Sequence, residues 1–209
     1  MLPNRRNSKT VSIGDVKIGG KEPIRIQSML TSETTDVEAC IREISSLDAL
    51  DCEIIRLTVP NKKSIESICS IRNEMDKRGI NRPLVADIHF NPQLAIDVCE
   101  FVEKVRINPG NFVDRKKFSI REYTDLQYNE ELERLENKLF PLIENLKKFG
   151  CSLRVGTNHG SLSDRIMNRF GDTSQGMVES AMEFLRILRK NNFEEIYKNQ
   201  TFLDIFRLV

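Results

Sequence analysis

The sequence lacks an excess of either charge and lacks long apolar runs. Thirty-two Lys and Arg residues stand against thirty-one Asp and Glu residues, so the formal net charge is +1. A charge this close to zero gives no global reason to expect nucleic acid or an acidic membrane surface as partner. No run of about 18 apolar residues is present, and no apolar segment of signal-peptide type follows the basic N-terminus. We therefore expect a cytoplasmic globular protein in which any anion site is local.

Cysteine is scarce and scattered. The five cysteines are odd in number and contain no C-x-x-C pair, which argues against a disulfide framework and a zinc site. They are Cys40, Cys52, Cys69, Cys99 and Cys151. We expect each to be a small core residue, because free cysteine is among the most buried residue types. No nucleophile–base pair, pair of acids or metal-ligand spacing stands out.

Strand-like and helix-like segments alternate along most of the chain. KTVSIGDVKIGG alternates apolar and polar residues around Gly14 and Asp15, which predicts a short hairpin. PIRIQSM then predicts a strand, and a helix follows with Thr35 or Asp36 as N-cap. The same unit repeats through the strands EIIRLTV, PLVADI, KVRINP and CSLRVGTN. Such alternation favours a parallel sheet covered by helices.

The first strand-to-helix turn separates two possible architectures. A dinucleotide-binding fold carries G-x-G-x-x-G there, but this chain reads SMLTSETTD. We therefore predict an α/β fold of the TIM-type (β/α)8 barrel, which closes with eight strands and needs about 250 residues. The chain supplies about five to six of these eight units. We expect an incomplete barrel whose unpaired edges promote aggregation or self-association.

The predicted organisation has three parts. An N-terminal arm and hairpin cover residues 1–22, a partial barrel covers 23–196, and a tail covers 197–209. Within the barrel, 112–150 is interpreted as an inserted helical stretch, in which Pro141 is expected to kink or split the long helix.

Three arginines lie inside otherwise apolar strands, at Arg56, Arg106 and Arg154. A bare guanidinium is costly in such a place, so each should point toward an anion or a carboxylate at the strand end. One arginine from each of three strands makes a converging pocket suited to a phosphate or diphosphate. The alternative is three separate pairs with carboxylates on the rim or outer face.

Asp87 and His89 are two residues apart on one strand, so their side chains share a face. They can hold each other's orientation or bind the hydroxyls of a polyol, and His89 can move protons near neutral pH. The alternative is an Asp that caps the next helix beside a satisfied His. The glycine-containing GTNHGSL, with Asn158, and NPGN, with Asn108, either let backbone N–H groups approach a phosphate or form ordinary turns.

Five stretches together resemble one enzyme family: PIRIQSM, IIRLTVP, PLVADIHF, KVRINPGNF and SLRVGTNHGSLSDRIMNRFGDT. From Arg5 to Ile196 they are similar, in order and spacing, to 4-hydroxy-3-methylbut-2-enyl diphosphate synthases of the methylerythritol phosphate route to isoprenoids. The long stretch between Asn111 and Ser152 resembles the plant and chlamydial type. The resemblance implies an eight-stranded barrel that binds 2-C-methyl-D-erythritol 2,4-cyclodiphosphate.

The resemblance also implies residue roles and partners. The implied substrate-binding residues are Arg56, Arg106 and Arg154 at the diphosphate, Asn158 beside them, Asp87 and His89 in the pocket wall, and Asn108. Full-length members carry a four-iron, four-sulfur cluster on a C-terminal domain and open the cyclic diphosphate with two electrons. Their electron donor is ferredoxin or flavodoxin, and they are homodimers.

The end of the chain departs from the family after NNFEEI, where it reads YKNQTFLDIFRLV. No cysteine matches a cluster ligand, so we expect no cluster, no metal and no catalytic residue in this chain, and no activity of it alone. We expect a truncated piece, produced by fragmentation or by a frameshift or early stop near residue 196. Two alternatives stay open: a pterin-binding barrel of dihydropteroate synthase type, and a non-catalytic remnant.

Overall fold

The computed structural model describes residues 8–113 and 122–193. The strands are β1 Val11–Ile13, β2 Val16–Ile18, β3 Gln27–Met29, β4 Ile54–Thr58, β5 Leu84–Ile88, β6 Lys104–Ile107 and β7 Ser152–Val155. The α-helices are α1 Val37–Ala49, α2 Lys62–Lys77, α3 Pro92–Val98, α4 Pro109–Phe112, α5 Asp125–Phe149, α6 Asp164–Phe170 and α7 Ser174–Lys190. A 3₁₀ turn covers His159–Ser161. No helix in these ranges is long and apolar enough to cross a membrane.

Within residues 8–113 and 122–193, the main sheet has five strands in the order β3-β4-β5-β6-β7, and every neighbouring pair is parallel. Spatial order therefore equals chain order, as it does in a (β/α)8 barrel. The described residues form five of the eight strands that close such a barrel. The prediction of an incomplete TIM-type barrel is confirmed.

The two faces of this sheet have opposite chemistry, because side chains alternate along each strand. Residues such as Ile55, Leu57 and Ala86 are fully buried in an apolar core that α1, α2, α3, α5 and α7 complete. The alternate residues point to the inner face, where a complete barrel has its lumen. Arg56 and Asp87 are among them.

The predicted hairpin is confirmed by the antiparallel pair β1 and β2, with Gly14 at φ +55° in the turn. Ile13 of the hairpin packs against Ile54 and Val85, near the starts of β4 and β5. The hairpin therefore gives the inner face an apolar floor at the N-terminal ends of the strands. Arg25 fastens it, since its Nε donates to the Lys17 carbonyl (2.9 Å) and its Nη1 donates to Glu53 Oε1 (2.7 Å).

Helix α5 is continuous across its proline. It runs unbroken from Asp125 to Phe149 with Pro141 inside it, so of the two expected outcomes, a kink or a split, the split is wrong. Proline removes one backbone hydrogen bond. Pro141 lies on the exposed side of α5, where water can satisfy the freed carbonyl, and the buried side formed by Leu139, Leu142 and Ile143 stays continuous.

Other differences are smaller. The strand predicted over PIRIQSM is formed only from Gln27 to Met29, and Ile24 is exposed beside the outer edge of the sheet. Between β7 and α7 the chain forms the 3₁₀ turn and then α6, a helix that the sequence analysis did not predict. Residues 194–196 of FEEI and the tail 197–209 lie outside the described residues.

Candidate anion-binding site

The strand register brings the predicted polar residues onto the inner face, in its C-terminal half. Asp87 lies beside Arg106, and Arg106 lies beside Arg154 on the next strand. On β4 the register partner of Asp87 is Thr58, so Arg56 lies two residues closer to the N-terminal end of the inner face. Parallel strands bring their carboxyl ends to one edge, which is where barrel enzymes place their sites.

Asp87 stands at the centre of this group. Its Oδ1 accepts a hydrogen bond from Arg106 Nη1 (2.9 Å), and its Oδ2 accepts one from Arg56 Nη2. Arg106 Nη2 also donates to the Gly156 carbonyl (3.0 Å). The Asp87 side chain is only 1% exposed. We call Arg56, Asp87 and Arg106 the strand cluster.

The inner face has an excess of positive charge. Lys104, which the sequence analysis did not single out, is also buried. It lies on the inner face of β6, two residues before Arg106. On β4 to β7 the inner face carries Arg56, Lys104, Arg106, Arg154 and one acid, Asp87. Within the described part of the chain, Nε of Arg56 and Nε of Arg106 are buried without a hydrogen-bond partner. The arrangement is suited to an anion.

His89 lies past the end of β5 at the rim, with its side chain 41% exposed. Its Nε2 is 3.9 Å from Asp87 Oδ2, which is too far for a hydrogen bond. Asp87 and His89 therefore do not hold each other's orientation in this structure, because the arginines of neighbouring strands take the carboxylate. The His89 ring contacts Phe90, with centroids 5.9 Å apart.

Asn108 joins the loops that follow β6 and β7. It is the N-cap of α4, where its Oδ1 accepts from the Gly110 N–H (3.3 Å), and its Nδ2 donates to Ser161 Oγ (2.8 Å). A Cβ at Gly110 would lie 1.3 Å from the Ser161 carbonyl oxygen, so only glycine permits this approach. We call Asn108, Gly110 and Ser161 the loop clamp. It leaves Asn108 buried and Asn158 exposed.

The cysteines do not fit an iron–sulfur cluster. Cys40, Cys52, Cys99 and Cys151 are buried, and Cys69 is half-buried. In the ranges that the structure describes, no three His, Cys, Asp or Glu residues are grouped to hold a metal ion. Burial raises the pKa of the Cys40 thiol to about 11, and the nearby Glu43 and Asp36 add to this. Cluster ligands must be thiolates grouped in space, so no chemistry of a cluster is assigned to these residues.

A second buried charge cluster was missed by the sequence analysis. Arg165 of α6 donates from Nη2 to Glu183 Oε2 of α7 (2.5 Å), and the Tyr128 hydroxyl of α5 donates to Glu183 Oε1. Burial, together with the bond to Glu183, raises the pKa of Tyr128, so this hydroxyl stays a donor. We call Arg165, Glu183 and Tyr128 the helix cluster.

Residues 8–205 match the family described as the GcpE TIM-barrel domain. This chain belongs to that family. It is 56% identical over 192 residues to the 4-hydroxy-3-methylbut-2-en-1-yl diphosphate synthase (flavodoxin) of Leptospira interrogans, a match that covers 92% of this chain and 29% of that protein. A protein of the same name from Akkermansia muciniphila is 52% identical over 192 residues, covering 92% of this chain and 33% of its own length.

A plant relative extends the comparison. The chloroplastic 4-hydroxy-3-methylbut-2-en-1-yl diphosphate synthase (ferredoxin) of Oryza sativa is 47% identical over 190 residues, covering 90% of this chain and 26% of that protein. The chain thus spans between 26% and 33% of the length of these three relatives. These matches confirm the resemblance inferred from the strand motifs.

One solved structure supports the fold alone. A phospho-2-dehydro-3-deoxyheptonate aldolase from Thermotoga maritima superposes with a TM-score of 0.52 at 15% identity. The superposition covers 97% of this chain and 52% of that one. The two proteins therefore share this arrangement of strands and helices, and the likeness says nothing of the ligand.

Proposed function

We propose that this chain supplies diphosphate-binding barrel residues of a 4-hydroxy-3-methylbut-2-en-1-yl diphosphate synthase, which opens 2-C-methyl-D-erythritol 2,4-cyclodiphosphate reductively. The excess of basic side chains on the inner face carries the proposal. A diphosphate is opposite in charge to this face, and planar guanidinium groups match phosphate oxygens.

Six of the seven predicted site residues have a place in this proposal. Arg56, Arg106 and Arg154 contact the diphosphate. Asn158 lies beside these arginines at the rim. His89, also at the rim, faces the polyol carbons and their hydroxyls. Asn108 acts through the loop clamp, which fixes the backbone between β7 and α6.

The cofactor and partners follow from the family and lie outside the described residues. The proposed complete enzyme carries a four-iron, four-sulfur cluster and is a cytoplasmic homodimer. It takes electrons from flavodoxin or ferredoxin, the donors after which the relatives are named. Because the cysteines here do not fit a cluster, no residue described above is assigned to electron transfer.

Phosphorus NMR on the 209-residue chain tests the binding part of the proposal. The signals of the cyclodiphosphate should shift or broaden as the chain is added, and a hydroxymethylpterin should not displace it. A chain that is folded by circular dichroism but leaves the phosphorus signals unchanged contradicts the proposal. Displacement by the pterin supports a barrel of dihydropteroate synthase type instead.

A graft tests the catalytic part. In the Leptospira relative, the 192 matched residues are replaced by those of this chain, and reductive ring opening is assayed with the cluster loaded. We expect activity from this graft and a large loss in a second graft carrying Arg56→Gln. A folded, cluster-loaded graft without turnover refutes the assignment.

A further inference from the structure

We infer that Asp87 is a positioning residue, which holds Arg56 and Arg106 ready for a diphosphate and does not itself contact the ligand. The inference rests on the proposed function and changes the role that the sequence assigned to Asp87. It also separates this carboxylate from the rim residues His89 and Asn158, which a ligand can reach.

The accessibility of Asp87 carries the first step. The side chain is 1% exposed, and each carboxylate oxygen already accepts a hydrogen bond from a different arginine. Arg56 is the more exposed of the two partners, with 19% of its side chain accessible. A ligand that enters the inner face therefore meets guanidinium groups, and it reaches the carboxylate only if these pairs separate.

The second step is the way Arg106 is held. Beyond its bond to Asp87, its Nη2 donates to the Gly156 carbonyl (3.0 Å). A Cβ at Gly156 would lie 2.5 Å from Arg106 Nε, so the backbone of β7's following loop packs directly against the guanidinium. Side chains that are ordered before binding lose less conformational freedom when the ligand arrives.

The third step is that three roles for Asp87 predict different effects of Asp87→Asn. If Asp87 acts only through its charge, the variant loses a negative charge, the inner face becomes more positive, and diphosphate binds more tightly. If Asp87 binds polyol hydroxyls, the variant binds the cyclodiphosphate more weakly, and its affinity for inorganic pyrophosphate stays unchanged. If Asp87 positions the arginines, the variant binds both ligands more weakly, despite the favourable change in charge.

The experiment measures dissociation constants of inorganic pyrophosphate and of the cyclodiphosphate for the 209-residue chain, Asp87→Asn and Asp48→Asn. Asp48 is the matched control, since it pairs with Arg82 (2.5 Å) away from the inner face. We expect Asp87→Asn to weaken both ligands by about tenfold and Asp48→Asn to change neither. Unchanged or tighter pyrophosphate binding by Asp87→Asn overturns the inference. A folded wild-type chain that binds neither ligand overturns the proposed function too.

A second measurement needs no change at Asp87 and decides the case if Asp87→Asn does not fold. Nitrogen NMR of the ligand-free wild-type chain reports rotation of the arginine guanidinium groups, with the signal of Arg56 assigned from Arg56→Gln. We expect restrained signals for Arg56 and Arg106 before pyrophosphate is added. Free rotation that stops only on addition of pyrophosphate shows that the ligand, not Asp87, positions the arginines.

Discussion

The strand cluster and the helix cluster both bury arginine against a carboxylate, but their charge balance differs. In the helix cluster, Glu183 meets one guanidinium and one hydroxyl, so the charges of the pair cancel. In the strand cluster, Asp87 meets two guanidinium groups, and further basic residues share its face. Burial of arginine alone is thus no sign of a binding site. Excess charge at the carboxyl ends of parallel strands is a better one.

The two clusters should therefore respond differently to loss of a charge. A balanced, fully buried pair leaves an uncompensated charge when one partner is removed, so its loss appears in stability. A cluster with excess positive charge attracts an anionic ligand, so loss of one of its cations should lower the affinity for that ligand. Glu183→Gln and Arg56→Gln separate these effects, and substitutions at Gly110 and Glu53 test contacts outside the two clusters.

The largest expected effect is that of Glu183→Gln, which leaves Arg165 buried without its counter-charge. We expect the free energy of unfolding to fall by about 3 to 5 kcal/mol, measured by denaturant titration. The control is Glu179→Gln on the same helix, whose partner Arg186 is mostly exposed, with an expected loss below about 1 kcal/mol. Equal losses in the two variants contradict the distinction.

Gly110→Ala should come second, because its Cβ would overlap the Ser161 carbonyl in the loop clamp. Overpacking of this kind costs about 1 to 3 kcal/mol, and the same denaturant titration measures it. Gly160→Ala, one residue before Ser161, is the control, since a Cβ there meets nothing within 4 Å. If Gly110→Ala is as stable as the wild type, the clamp does not join the loops.

Arg56→Gln should change affinity more than stability. Loss of a charged hydrogen bond costs about 2 kcal/mol, so pyrophosphate affinity measured by calorimetry should fall roughly thirtyfold. Asp87 keeps Arg106, so unfolding should change little. Arg82→Gln, which removes an arginine paired with Asp48 outside the inner face, should leave the affinity unaltered. A similar drop in both variants indicates only a general effect of charge.

The smallest effect concerns pH and Glu53. The Ile26 N–H and then Arg25 hydrogen-bond its carboxylate, which lowers the pKa of Glu53 below its ordinary value of 4.5. The stability that the ionised Glu53 contributes is fully present above pH 4.5, and it is lost as the pH falls through the lowered pKa. We expect less than about 1 kcal/mol, seen as a shallower acid loss of stability in Glu53→Gln. Parallel pH curves for the two proteins exclude this role.

Sequence alone could predict the convergence of the arginines but not their partners. Alternation along apolar strands places Arg56, Arg106 and Arg154 on one face. The pairing of Asp87 with Arg106 depends on the register between β5 and β6, which no local pattern encodes. Proximity along the chain favoured His89 as the partner of Asp87, whereas contact across the sheet decides it.

Two other features that the sequence analysis missed do have a signal in the sequence. Lys104 stands two residues before Arg106 in KVRI, so alternation already assigned it to the inner face. The helix α6 lies between Ser163 as N-cap and Gly171 as C-cap, a common pair of helix boundaries. The helix cluster had no such signal, because it joins three helices that are distant in sequence.

Thermal unfolding with and without millimolar pyrophosphate tests the central claim most directly, since a ligand that binds the folded state raises its midpoint. The wild-type chain and Glu183→Gln should show the same rise on addition of pyrophosphate, although the variant begins from a lower midpoint. Arg56→Gln should begin near the wild type and show little rise. A full rise in Arg56→Gln, or none in the wild type, contradicts the account.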